Sequence, residues 1–98
     1  MSSMTITEIL QITDRLILSQ TGKHLNDLQE TVIKGAWQGQ TYQVIAEECQ
    51  HSESRIRDVG YELWNLLSKA LGEDIKKNNF RSNFEKLNIE SYPNSSPK

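Results

Sequence analysis

Between Ser52 and Asn65 the polar residues Ser52, Ser54, Arg55, Arg57, Asp58, Tyr61 and Asn65 alternate with the apolar Ile56, Val59, Leu63 and Trp64. Counted from Ile56 at about 100° per residue, Ser54, Asp58, Tyr61 and Asn65 fall on the outward face of a helix, with Arg57 and Ser68 beside them. Hydroxyls, a guanidinium, a carboxylate and an amide gathered on one face are hydrogen-bonding groups and charges, the chemistry of recognition. A guanidinium such as Arg57 can donate two bonds to guanine O6 and N7, or contact a phosphate. Tyr61, Asn65 and Ser54 can add phosphate or base-edge bonds, and Arg55 can hold a nucleic-acid backbone from the flank. Glu53 suits the first turn, where a carboxylate favours the helix N-terminus. Lys76, Lys77 and Arg81 form a second basic cluster downstream, of a kind that is also common on plain solvated faces.

Catalytic chemistry finds no comparable set. His24 and His51 lie in different connections, and Cys49 is the single cysteine, so no zinc-binding set forms. Glu47 and Glu48 are adjacent and point in different directions on a helix, which disfavours a paired-carboxylate site. No glycine-rich phosphate cradle is present. The expectation is a non-catalytic chain with no cofactor, no metal and no small-molecule substrate. Cys49 reads as a small buried hydrophobe and cannot form an intramolecular disulfide.

These residues must be positioned by helices. With 98 residues, 36% of them hydrophobic, a mean hydropathy of -0.62 and a net charge of -2, the chain suits one small domain with little room for a cofactor cavity. The near-neutral charge supplies no field that would draw it onto nucleic acid or an anionic membrane. No apolar run approaches the roughly 20 residues of a membrane span, and MSSMTITEIL lacks the features of a secretory signal, so a cytoplasmic setting is the default.

The periodicity predicts an all-α domain of four to five helices with a central helix-turn-helix. A leading helix over Thr5–Ser19, within a segment 1–24, carries Ile6, Ile9, Leu10, Ile12, Leu16 and Ile17 on one face and stops at Gly22. The core segment 25–72 begins with a helix capped by Asn26, with Glu30 in its first turns, burying Leu28, Val32, Ile33, Ala36 and Trp37 and closed by Gly39. Thr41 caps a short helix with Val44, Ile45 and Cys49 inward. After the Gln50–His51 connection, Ser52 starts the longest helix. Its inward set is Ile56, Val59, Gly60, Leu63, Trp64, Leu67, Ala70 and Leu71, and Gly72 ends it in a left-handed conformation. A final helix within 73–90 starts at Asn78 or Asn79 and carries Phe80, Phe84 and Leu87. The tail 91–98, SYPNSSPK, has the composition of a linker or flexible end, as expected for the first domain of a longer protein.

A helix-turn-helix braces a second helix so that its outer face can enter a major groove. That scaffold, with Arg57, points to binding of duplex DNA in a regulatory role. The local charge opposes it: Gln40–Leu71 holds three basic residues, Arg55, Arg57 and Lys69, against five acidic ones, Glu47, Glu48, Glu53, Asp58 and Glu62. Phosphate contacts supply most non-specific affinity, so a monomer of this kind needs a homodimer or a neighbouring domain to hold DNA. The alternative on the same scaffold is a protein-docking or self-association module, for which Tyr61 is the exposed aromatic. Arg57 has Glu53 and Glu62 as better-placed ion-pair partners than its neighbour Asp58.

The brace TYQVIAEE and the start SESRIR resemble the helix-turn-helix of LuxR-type output domains and of sigma-factor region 4. Two departures are Gln50, where glycine is usual, and Gly60, where leucine is usual; the latter should leave space for Val59 and Trp64 to repack. GAWQGQTYQVIAEE, IRDVGYELWNLLSKALG and KKNNFRSNFEK together resemble the N-terminal helix-turn-helix domain of cyanobacterial vWA-MoxR-associated proteins and of NB-ARC signalling ATPases carrying repeats. This similarity spans Leu25–Leu87 and rests on Trp37, Gly39, Tyr42, Arg57, Asp58, Gly60, Trp64, Gly72, Asn79, Phe80 and Arg81. It implies a recognition or adaptor domain at the head of a larger machine, with Arg57 and Asp58 as a characteristic pair and no catalytic residue.

Overall fold

Five helices follow one another in the computed structural model, which describes residues 5–91, with side chains placed for 5–86: α1 (Ile6–Thr21), α2 (Asp27–Trp37), α3 (Tyr42–Cys49), α4 (Glu53–Leu71) and α5 (Phe80–Ser91). The described residues are all-α. The tail beyond Ser91 and the side chain of Leu87 lie outside the described residues.

Each helix starts where its capping chemistry lies. Thr5 and Asn26 form capping boxes with Glu8 and Gln29, and Glu30 lies in the first turn of α2 as expected. Thr41 and Ser52 accept the amides of Val44 and Arg55 at the starts of α3 and α4. Gly22 and Gly72 close α1 and α4 with φ of 77° and 69°. The second helix ends at Trp37, two residues before Gly39. The last begins at Phe80, where the Asn79 carbonyl accepts the amide of Asn83.

The long helix α4 is the spine, packed against α1, α2 and α3, and α5 packs on α2. Ile56, Gly60, Leu63, Trp64 and Leu67 are its buried stripe; Val59, Ala70 and Leu71, expected inward, are half-buried. They meet Ile9, Thr13 and Ile17 of α1 and Val32, Ile33, Ala36 and Trp37 of α2 in one core. Phe80 anchors the C-terminal end. It lies 5.1 Å from Trp64, 5.7 Å from Trp37 and 4.7 Å from Phe84 between ring centroids, in tilted or edge-on arrangements that add to area burial.

Two expectations are corrected, and two core residues are added. Val44 is 38% exposed, and Ala46 takes the inward place beside Ile45. Those two, with the half-buried Cys49 one turn later, define the stripe of α3, and Val44 lies about 100° off it. Leu25 and Ile75, both in connections and so outside any helical period, are buried core residues. Ser68, expected beside the outer face of α4, binds the chain beyond that helix, as described below.

Candidate recognition surface

The α3–α4 corner is a three-residue connection. Gln50 adopts a left-handed conformation, φ 63°, its amide donating to the Ala46 carbonyl, and the His51 amide donates to the same oxygen. A side chain in this region costs about 1–2 kcal/mol relative to glycine, which is why glycine is the common occupant of such a turn. Ser52 then starts α4, and Ser52, Ser54, Arg55, Asp58, Tyr61, Glu62 and Asn65 are all exposed along it. Tyr61 is the large apolar side chain among them, 59% exposed.

Tyr42, the first residue of α3, organises one flank of α4. Its ring lies on Gly60, where an added Cβ would sit 3.0 Å from both Cε1 and Oη. Gly60 therefore makes room for Tyr42 rather than for a repacked Val59 or Trp64. The Tyr42 hydroxyl oxygen accepts the indole N–H of Trp64 at 3.0 Å, and its ring stands edge-on to Tyr61 with centroids 6.3 Å apart. Burial, more than any other cause, raises the Tyr42 pKa above its ordinary value, so the hydroxyl keeps its proton at neutral pH.

Arg57 is half-buried beside this ring. Its Nη2 donates to Glu53 Oε2 one turn earlier, and its Cζ lies 5.8 Å from the Tyr42 centroid. Of the partners weighed for Arg57, Glu53 is the one that engages it. Asp58 points elsewhere. Arg55, on the opposite flank of α4, borders a groove of about 210 Å³ shared with Asn26, Leu28, Gln29, Asp58, Val59 and Glu62.

The downstream basic cluster does not act as one patch. Lys76 pairs with Asp74 at 3.1 Å. Arg81 donates from Nη1 to the Trp37 carbonyl at 3.0 Å, covers the Trp37 ring at 5.0 Å and pairs with Glu85, so it clamps α5 to the end of α2. Lys77 turns back toward α3–α4, its Nζ 5.5 Å from the Tyr42 centroid. It is placed there by an ordered link. Ile75 plugs into the core while its amide donates to Ser68 Oγ at 2.8 Å; Asn79 Oδ1 accepts the Lys76 amide at 2.7 Å, and Asn79 Nδ2 donates to the Asp74 carbonyl.

Periodicity ranks each helix by itself and so missed Tyr42 and the convergence of Arg57 with Lys77, which depend on what crosses α4. The available signal was Gly60, since a glycine inside a strongly amphipathic helix marks a close approach. His24 and His51 are both exposed, and His24 Nδ1 lies 2.7 Å from Asp14 Oδ2. Among the described residues no group of three or more His, Cys, Asp or Glu is placed to hold a metal ion, and no helix is long and apolar enough to cross a membrane.

What this surface can do is bind, through one exposed tyrosine, flanking carboxylates and a cation pair on Tyr42. No curated protein and no solved structure matches the chain. A family model does match, over residues 4–87, and with the helix-turn-helix in place the chain belongs to the vWA-MoxR associated protein N-terminal HTH family.

Proposed function

We propose that this helix-turn-helix is a protein-docking module: the outer face of α4, centred on Tyr61, binds a vWA or MoxR protein, the two partners that the family's description names. One observation carries the reading. Tyr61, 59% exposed, stands at the middle of the outer face of α4 with exposed Ser54, Asp58 and Asn65 around it, while Arg57, the residue best suited to a base contact, lies at the edge of that face against Tyr42. An exposed aromatic with a mixed polar rim matches the anatomy of protein interfaces. Five carboxylates against three cations over Gln40–Leu71 oppose a duplex that presents a charge about every 1.7 Å.

Duplex DNA in a regulatory role is the second reading, favoured by exposed Ser52, Ser54 and Arg55 at the start of α4, the end of a recognition helix that meets base edges. Fluorescence anisotropy against random and promoter-derived duplexes separates the two. Docking predicts no salt-sensitive binding even at low salt. Sequence-selective binding that weakens with salt and is lost in Arg57→Ala would establish the DNA reading instead.

A further inference from the structure

Arg57 and Lys77 belong to separate stretches of the sequence, yet both lie over the ring of Tyr42, at 5.8 and 5.5 Å from its centroid. Among the described residues one carboxylate, Glu53, lies within ion-pair distance of Arg57, bound to a single guanidinium nitrogen, and none lies within that distance of Lys77. Of these two half-buried cations, Arg57 has one counter-charge and Lys77 has none within that distance. The Tyr42 hydroxyl accepts from Trp64 and donates to nothing among the described residues, which leaves its O–H as a third donor. Ser68, Ile75 and Asn79 fix the link that carries Lys77, so its ordering is paid before any ligand arrives.

We propose that Tyr42, Arg57 and Lys77 form a receptor for one oxyanion, a carboxylate or phosphoryl group borne by a side chain of the docked protein, with Glu53 as the internal competitor for Arg57. The inference rests on the docking reading. A polyanion fits less well, because it would extend over an α4 surface that carries exposed Glu53, Asp58 and Glu62, whereas a single oxyanion beside Tyr61 needs only the two cations. Charge-assisted hydrogen bonds of this kind are about twice as strong as neutral ones.

The test is a titration of the isotopically labelled chain with inorganic phosphate at constant ionic strength, read by amide chemical shifts. Saturable shifts are expected around Tyr42, Arg57 and Lys77, with affinity about tenfold weaker in Lys77→Gln and a few-fold tighter in Glu53→Gln. Neither substitution removes a core contact, and unchanged shift dispersion elsewhere verifies the fold. Equal affinity in Lys77→Gln, or shifts spread over the surface, would overturn the receptor. Glutamate-bearing and phosphoserine-bearing peptides, added separately, identify the source by which one displaces phosphate. Displacement by a short duplex alone would overturn the protein source. A vWA or MoxR protein that binds Lys77→Gln as tightly as the natural chain would overturn the receptor and leave the docking reading standing.

Discussion

At the scale of single residues, two glycines decide how closely the helices approach. Gly35 in α2 faces Ile45, whose Cγ1 would lie 2.5 Å from an added Cβ, and Gly60 in α4 faces the Tyr42 ring at 3.0 Å. Alanine gains up to about 1 kcal/mol of helix propensity at either site, whereas overpacking a tight contact costs about 1–3 kcal/mol. Ile45 is buried and has nowhere to go; Tyr42 is half-buried and can tilt outward. Gly35→Ala should therefore lower stability by about 1–2 kcal/mol in denaturant unfolding, and Gly60→Ala should stay within about 1 kcal/mol of the natural chain. Gly60→Ala should still change the fluorescence of Trp64, because moving Tyr42 removes the acceptor of the indole N–H. Equal stability losses for the two would contradict this account of the corner.

At the scale of elements, the caps at Asn26, Thr41, Ser52 and Gly72 were legible because capping is local: at a helix start a short polar side chain meets an amide three residues on, and at its end a glycine takes the left-handed conformation. The buried stripe of α4 was legible for the same reason. Val44 was misplaced because eight residues span barely two turns, too few for periodicity to separate Val44 from Ala46. Leu25, Ile75 and Ser68 were missed because their roles depend on how the chain returns after a helix ends. The α1–α2 connection shows the same logic. Asp14 Oδ1 accepts the Leu25 amide at 2.7 Å and Oδ2 meets His24, and these bonds, the backbone one first, hold the Asp14 pKa below its ordinary 3.8. A carboxyl lowered on folding stabilises the fold above its unfolded pKa, and that contribution disappears as pH falls through the folded value. Thermal unfolding at stepped pH should show a decline beginning near 3.8 and extending below it, absent in Asp14→Asn. Parallel profiles for the two proteins would show that this clasp does not link folding to protons.

At the scale of the whole molecule, α4 serves two surfaces. One stripe closes the core with α1, α2 and α3, and the opposite side presents Tyr61 among Ser54, Asp58, Glu62 and Asn65. The all-α architecture and the family were legible from the sequence; the balance between a DNA reader and a docking module was not, because it depends on which cations are already engaged. Arg57, Lys76 and Arg81 each have a carboxylate partner, and Lys77 joins Arg57 at Tyr42. Calorimetric titration of the chain with a vWA protein and a MoxR protein tests the central claim most directly. The account predicts saturable binding to one of them, weakened by about 2 kcal/mol, roughly thirtyfold, in Tyr61→Ala, as for an aromatic at an interface centre. Binding to neither protein, or binding that Tyr61→Ala leaves unchanged, would contradict it.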